Sequence, residues 1–479
     1  MSTLAVATQS KAPIREPGQR ALAAVVLAAG EGKRMRSATA KVLHPLAGRP
    51  LLEHVLGTAA VLGPQRTIVV VGRDAADVKH LVGDRAECVV QEQQLGSGHA
   101  ALQARAALAD FVGDLVLLCG DVPLLRASTL EALLARHRSS SSLATVLTMV
   151  VDDPTGYGRV LAEGDGRVRI VEHRDANGAE RAVREVNTGT YCFDAQFLFR
   201  ALAELGNDNA QGEYYLTDVM EAASRSGAAA AVCVGDASEG AGINSRSDLA
   251  YAEGLLRRRL VERWQEQGVT FVDPATAYLS AGCTIGPDTI VGPNVRLEGA
   301  TAIGEACTLE GNAYLQDTVV EKGARVRWGV VADRARIGAG AIVGPYAHLR
   351  PQADLGDDVH IGNFVEVKKS TIGKRSKANH LSYIGDSTIG EDVNVGAGTI
   401  TCNYDGFAKH RTVIGDRVQI GSDTQLVAPV ELGDDVYVAA GSTVTKDVEA
   451  GALVFNEKPQ RTRGGWVESF RRRARKEKS

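Results

Sequence analysis

Residues 337–367 read IGAGAIVGPYAHLRPQADLGDDVHIGNFVEV, and an aliphatic residue returns every six positions at Ile337, Val343, Leu349, Leu355, Ile361 and Val367. The same period runs through Ile285, Val291, Leu297, Ile303, Leu309 and Leu315, and the pattern continues to about Val444. Neither the helical period nor simple strand alternation produces it. A six-residue aliphatic repeat reads instead as a parallel β-helix, each unit a short strand and a turn, three units closing one triangular coil. Burying one such side chain contributes about 1.5–3 kcal/mol. A single coil leaves both ends open, so several must stack. Glycine follows the aliphatic residue at Gly286, Gly292, Gly304, Gly338, Gly344, Gly356 and Gly362. Corners where the backbone turns without a Cβ in the way explain this placement.

Outside the repeat the chain changes character. Its 479 residues exceed what one core supports, so two domains are expected. A formal charge of −4 speaks against a nucleic-acid-coating protein and favours small-molecule partners. The seven cysteines are scattered, with no closely spaced pair for zinc or redox work, which fits a reducing cytoplasm. No apolar run suits a signal peptide or a membrane span, and residues 1–20 read as a loose extension.

Apolar, β-branched runs at 25–30, 67–72, 115–121 and 145–151 alternate with helical stretches and predict buried parallel strands with crossover helices. Ligands bind beyond the carboxyl ends of such strands, where Gly30 and Asp121 fall. Residues 246–266 place Leu249, Ala252, Leu256, Leu260 and Trp264 near one face and predict a linking helix. The terminal RRRARKEKS is a basic tail, read as a solvated disordered end, with an acidic partner or a membrane surface as the other reading.

Several groups have the composition of a site. LAAG (27–30), continuing as EGKRM with Lys41 after it, leaves a strand through a Gly turn whose backbone N–H groups can line a phosphate while Arg34 and Lys41 offset its charge. Gln91 with LGSG (95–98) offers amide and backbone contacts to a base, although such runs are often only turns. Asp121 ends an apolar strand, as a magnesium carboxylate or a turn Asp would. In the repeat, Arg350 and Lys368 stand eighteen residues apart, one nominal coil, so they lie side by side to grip a phosphate or remain two solvated cations. Ala378 rather than His380 takes the hexad position, which points the imidazole outward, where it can deprotonate an amine. The run TCNYDGFAKHRT (401–412) breaks the hexad and predicts a projecting loop.

Together the LAAG-EGKRM run, Lys41, LGSG, the Gly-Asp after the third strand and the hexapeptide half resemble the bifunctional N-acetylglucosamine-1-phosphate uridylyltransferase and glucosamine-1-phosphate acetyltransferase family, from about Ala24 to Gln460. That resemblance implies an α/β nucleotidyltransferase domain of Rossmann-like type followed by a left-handed parallel β-helix. Its divisions would be an extension (1–20), a uridylyltransferase domain (21–245), the linking helix (246–266), an acetyltransferase domain (267–455) and the tail (456–479). It further implies that Leu27, Ala28, Ala29, Gly30, Lys41, Gln91, Gly96 and Ser97 hold UTP and that Asp121 and Asn244 bind Mg²⁺. Gly158, Glu172, Asn187 and Asn244 match sugar-site positions, and Arg34 and Lys41 assist transfer of UMP to N-acetylglucosamine 1-phosphate.

For acetyl transfer the resemblance makes His380 the base, with Arg350, Lys368, Tyr383 and Asn394 on glucosamine 1-phosphate. Asn403 and Tyr404 would reach amino sugar and acetyl group, and Ala397, Ser422 and Ala440 would line the acetyl-CoA channel in a homotrimer with sites between subunits. Lys33, Ala40, Cys119 and Glu457 depart from the family pattern, which has Thr, Pro, Tyr and Arg there. Two other readings remain: a one-reaction sugar-1-phosphate nucleotidylyltransferase whose β-helix only oligomerises or regulates, and a non-catalytic trimeric scaffold.

Overall fold

The structure, a computed structural model, describes residues 20–30, 32–73, 75–162, 168–233, 235–457 and 459–476. The chain divides into two compact units at Arg259/Leu260.

In the first unit the strands are β1 (Leu22–Ala28), β2 (Pro45–Leu46), β3 (Arg49–Pro50), β4 (Arg66–Gly72), β5 (Glu87–Gln91), β6 (Asp114–Cys119), β7 (Ala144–Val150), β8 (Arg159–Ala162), β9 (Val168–Val171), β10 (Glu185–Asp194) and β11 (Ala229–Cys233). The main sheet runs β11-β7-β10-β6-β1-β4-β5, with the β8–β9 hairpin paired to β10. Along this path every strand is parallel to β1 except β10, which lies antiparallel between β6 and β7. The central strand β1 is apolar throughout because both faces are covered, one cluster centred on Val25, Leu115 and Phe193, the other on Val26, Leu118 and Leu52. The four expected strands are present. The intervening β10 escapes hydropathy patterning because its VNTGT run is polar and bulged.

Residue 20 was expected in the loose extension, but Arg20 is fixed. Its guanidinium meets Asp194 at 2.6 Å and the buried Asp114 at 3.2 Å, which Arg138 also engages at 2.7 Å. Residues 1–19 of that extension lie outside the described residues. The helix Arg246–Glu266 packs Ala252 with Leu249 and Leu256 against Leu46, Leu51 and Leu124.

The second unit stacks short parallel strands into three sheets of eleven, ten and nine strands, the faces of a triangular prism. Ile337, Val343, Leu349, Leu355, Ile361 and Val367 are all buried inside it. Val291 pairs with Leu309 but Val326 pairs with Val343, so a coil without an insertion takes eighteen or seventeen residues. The shorter coils contain a five-residue step, such as Val367 to Ile372.

The repeat glycines are needed for a different reason from the one expected. Apart from Gly344 they avoid positive φ; the positive-φ turn residues come two positions later, at Asp288, Asn294, Ala306, Asp358 and Phe364. A Cβ on Gly286 would lie 2.5 Å from Glu305 N, and one on Gly292 2.5 Å from Glu310 C. Glycine is required where one coil's backbone lies against the next. The tail also differs from the disordered end expected, since Trp466–Lys476 is helical, with Trp466 and Phe470 stacked one turn apart at 5.1 Å.

Candidate active sites

Leu27 of β1 lies beside Cys119 of β6, so the chain leaving each strand carries Ala29-Gly30 and Gly120-Asp121 to one edge of the sheet. Facing them, Gly96 adopts φ +111 at the start of the Ser97–Leu102 helix, and a Cβ there would sit 2.6 Å from the carbonyl oxygen of Tyr214. Only glycine fits. A cleft of about 420 Å³ results, lined by Leu27, Ala28, Ala29, Gly30, Lys41, Gln91, Gly96, Ser97 and Asp121. Gln94 and Glu213 also line it, and Gln94 donates to Ala29 O at 2.6 Å.

Inside the cleft the Lys41 ammonium pairs with Asp121 and donates to Asn244 Oδ1 at 3.1 Å. Asn244 is held by Asp248, whose carboxylate accepts from the N–H groups of Asn244 and Ser245, each at 2.9 Å. A carboxylate and an amide oxygen thus converge on one cationic centre. That donor set suits Mg²⁺, which takes few protein oxygens and completes its shell with water and phosphate. Among the described residues no cluster of three His, Cys, Asp or Glu offers a denser cage. Arg34 lies on the turn Lys33–Met35, exposed and outside the cleft lining, with Met35 buried as the turn's anchor.

Gly158, Glu172 and Asn187 come together beside this cleft. The Asn187 N–H donates to Gly158 O at 2.9 Å, its Nδ2 donates to Tyr191 OH at 2.6 Å, and its Oδ1 accepts from Gly189 N at 2.8 Å. A Cβ on Gly158 would lie 3.3 Å from Glu172 Oε1. Burial raises the Glu172 carboxyl above its ordinary range, and the hydrogen bond from Thr217 only partly opposes this. Cys119 donates to Gly189 O at 3.4 Å and is pushed up to about 12 by burial, so it stands in the cleft as a neutral thiol.

In the prism, Leu349 pairs with Val367, which sets Arg350 beside Lys368 as the coil spacing required. Arg350 meets Glu366 at 2.7 Å, and Lys368 lies 3.8 Å from Asp386. Lys409 crowds Lys368, and with desolvation lowers its ammonium pKa. Asn403 donates to Asp386 at 2.6 Å and stands 3.5 Å from Tyr383 OH.

His380 is exposed, as its register requires, and its Nδ1 lies 2.9 Å from Asn363 Oδ1 on the preceding coil. A carbonyl oxygen only accepts, so Nδ1 carries the hydrogen and Nε2 keeps its lone pair. Asn394 stands on the adjoining face, stacked on Lys377, and is not drawn into the Arg350–Lys368–Tyr383 group. Ala397, Ser422 and Ala440 form an outward ladder, Asp423 N bonding Ala397 O and Gly441 N bonding Ser422 O, both at 2.8 Å. The 401–412 insertion is a loop closed by pairing of Tyr404 with Lys409, with the Asp405 carboxyl held far below its usual range by the backbone of Ala408, then His410. Glu457 is exposed, and Lys458 beside it lies outside the described residues.

Sequence reasoning missed Asp248, Gln94, Glu213, Asn363, Glu366, Asp386 and Lys409. Asn363 and Glu366 were legible from spacing, since each precedes a singled-out residue, His380 and Tyr383, by one seventeen-residue coil. Asp386 was legible in the same way, seventeen residues after Lys369 and seventeen before Asn403, whereas Asp248, Gln94, Glu213 and Lys409 reach their partners through segments that no periodicity fixes.

Two family models match the chain: a MobA-like NTP transferase domain over residues 24–268, and the bacterial transferase hexapeptide of six repeats over 334–369 and 411–446. The prism is accordingly a left-handed β-helix. The chain is 49% identical over 450 residues to the "Bifunctional protein GlmU" of Pelobacter propionicus, covering 93% of this chain and 98% of that one. It is 48% identical to the protein of that name from Geobacillus thermodenitrificans, covering 94% and 98%, and 48% identical to the one from Synechococcus sp., covering 93% and 99%.

Proposed function

The chain belongs to the bifunctional GlmU family, and from that premise we propose how its residues divide two reactions. It acetylates glucosamine 1-phosphate with acetyl-CoA, then transfers UMP from UTP to N-acetylglucosamine 1-phosphate, releasing pyrophosphate. The observation that carries the assignment is the presence of both sites on one chain matched along nearly its whole length.

In the prism, Arg350 and Lys368 hold the sugar phosphate, their own charges only partly met by Glu366 and Asp386. His380 Nε2 takes a proton from the amino group, whose nitrogen forms the new C–N bond at the thioester carbonyl. The C–S bond breaks and the His380 imidazolium returns its proton to the leaving sulfur, so coenzyme A leaves as the thiol. Tyr383, Asn403 and Tyr404 orient the acceptor, and the Ala397–Ser422–Ala440 ladder leaves a flat track for the coenzyme.

In the cleft, a phosphate oxygen of N-acetylglucosamine 1-phosphate attacks the α-phosphorus of UTP as the bond to the β-phosphate breaks. The nucleophile is already an anion, so alignment and charge neutralisation suffice. Leu27, Ala28, Ala29, Gly30, Gln91, Gly96 and Ser97 seat the nucleotide, Gly158, Glu172, Asn187 and Asn244 the sugar. Asp121 and Asn244 would hold Mg²⁺, which would supply charge neutralisation on the triphosphate. Lys41 then exchanges Asp121 for phosphate oxygens, and Arg34 approaches from the cleft's rim.

A homotrimer is supported by an exposed apolar ladder beside His380: Trp328, Tyr346, Phe364 and Leu381 follow one another coil by coil, with Tyr346 and Phe364 stacked at 5.7 Å. Phe407, on the 401–412 loop, is 96% exposed. Covering such residues gives a physical reason to associate. No helix among the described residues is long and apolar enough to cross a membrane. The free thiols of Cys88, Cys119, Cys192, Cys283, Cys307 and Cys402 support a cytoplasmic setting. The test supplies glucosamine 1-phosphate, acetyl-CoA, UTP and Mg²⁺ together and identifies products; release of coenzyme A without UDP-N-acetylglucosamine, or the reverse, would refute the assignment.

A further inference from the structure

The corner aspartates Asp288, Asp358, Asp392, Asp423 and Asp435 of the prism have positive φ and exposed side chains. Asp386 shares their backbone conformation, at φ +50, but is only 8% exposed. A turn needs the left-handed backbone and gives no reason to bury the carboxylate. That carboxylate faces the groups of the acetyl-transfer site. Its Oδ2 accepts from Asn403 Nδ2 at 2.6 Å and lies 3.8 Å from Lys368 Nζ, and its Oδ1 lies 3.7 Å from Lys369 Nζ. The backbone of Asp386 joins the same elements. Its N–H donates to Lys368 O at 3.0 Å, and its carbonyl accepts from Thr412 N at 3.3 Å, at the foot of the loop that carries Asn403 and Lys409. All these contacts lie inside one chain, with Asn403 buried as well, so they do not depend on what surrounds it.

Resting on the acetyl-transfer reading of the prism, we propose that Asp386 is a positioning residue of that site, its buried carboxylate turning Asn403 Oδ1 toward the amino sugar and balancing the cations that hold the sugar phosphate. A carboxylate only accepts, so the Asn403 amide presents Nδ2 to it and Oδ1 away from it, as the acceptor that an amino N–H requires. Lys368 is faced by Arg350 from the preceding coil, by Lys409 from the loop and by Asp386. Lys369 shares the Asp386 carboxylate, while Glu366 and Tyr383 face Arg350. Arg350, Lys368, Lys369 and Lys409 against Glu366 and Asp386 leave a charge that suits a phosphate dianion. Without Asp386 one carboxylate would stand among four cations. Lys409 and desolvation already lower the Lys368 ammonium pKa, and Asp386 opposes them.

The experiment measures coenzyme A release from acetyl-CoA and glucosamine 1-phosphate across pH, with two variants of the full chain chosen to fit the left-handed corner. Asp386→Asn tolerates that conformation and keeps an acceptor for Asn403, but removes the charge. KM for glucosamine 1-phosphate should stay at or below the parental value near neutral pH, because repulsion of the phosphate is relieved. Its alkaline rise should begin about one pH unit lower, because Lys368 loses its counter-charge. Damage to the turn alone would raise KM at every pH. Asp386→Gly fits the corner without strain and removes the acceptor, so kcat should fall about five- to tenfold. In an Asn403→Ala background the same change should cost less than about twofold, since the group it positions is gone. An unmoved alkaline limb in Asp386→Asn would overturn the proposal, as would a kcat loss in Asp386→Gly that persists undiminished without Asn403. A parent that releases no coenzyme A would overturn the acetyl-transfer reading together with it, whereas full release by the parent with either of those results sinks the role of Asp386 alone.

Discussion

Asn363 is the residue whose removal most directly tests the acetyl-transfer site. It stands one coil before His380, in register with it, and its Oδ1 is 2.9 Å from the imidazole Nδ1. The contact fixes both the ring's orientation and the tautomer that leaves Nε2 basic. Asn363→Ala removes one neutral hydrogen bond between exposed groups, a net of about 1 kcal/mol. That energy corresponds to roughly a fivefold loss of the productive imidazole, well short of the 10²–10⁴ loss expected when the base itself is removed. The kcat for coenzyme A release should therefore fall about five- to tenfold. KM for glucosamine 1-phosphate should hold, because Arg350 and Lys368 are untouched. Asn363→Asp keeps an acceptor and adds a charge that favours imidazolium, so the acidic limb of its pH–rate profile should move to higher pH. Thiol release measured across pH decides the matter. A parental kcat in Asn363→Ala, with an unmoved profile in Asn363→Asp, refutes the positioning role; a loss as large as that of His380→Ala means Asn363 touches substrate directly.

Other substitutions separate the sites. His380→Ala should abolish acetylation while leaving uridylyl transfer near parental, and Arg34→Ala should do the opposite; equal rates to the parent in the affected assay would remove either role. Gly189→Ala should raise KM for N-acetylglucosamine 1-phosphate and spare acetyl transfer, since Gly189 has φ +76, its Cβ would meet Cys119 Sγ at 2.8 Å, and its N–H holds Asn187; unchanged kinetics would show that Asn187 does not read the sugar. Lys368→Ala should raise KM for glucosamine 1-phosphate at least tenfold, about the value of one charge-assisted contact, and a parental KM would discount the phosphate grip.

How much of this was legible in the sequence follows from how each feature is determined. Ile337 to Val367 announce the prism because burial of every sixth residue is a one-dimensional constraint, and the positions of Arg350 and His380 follow from it. The five-residue steps were illegible because a shorter corner preserves the inward aliphatic residue while changing only the turn. Lys41, Asp121 and Asn244 illustrate the intermediate case. Asp121 was placed by its strand, yet its approach to Lys41 and Asn244 depends on turns distant in sequence. Asp248 had no signal at all, since an Asp in the first turn of a helix is ordinary and only the structure shows its carboxylate fixing Asn244.

Asp218 gives a prediction that depends on neither reaction. Its half-buried carboxyl is pushed up to about 6, by desolvation first and then by the nearby Glu221 and Asp175 carboxylates. The unfolded chain releases that proton near pH 3.9. The folded state thus holds the proton more tightly, and its advantage, complete below about pH 4, is lost as the pH rises through about 6. Above that range an ionised Asp218 weakens the fold. Two pH units would correspond to about 3 kcal/mol, but solvent screening at a half-exposed group reduces this to about 1 kcal/mol. Asp218→Asn should therefore raise the melting temperature of the first unit by about 2–4 °C near pH 7.5 and change nothing below about pH 4, where both side chains are neutral. A gain of equal size at both pH values would mean that the amide makes a new contact, and no gain at pH 7.5 would mean that solvent already relieves the repulsion. Either result would deny that this carboxylate crowding costs stability, leaving Glu172, raised by the same burial, as the acidic group to examine at the sugar subsite.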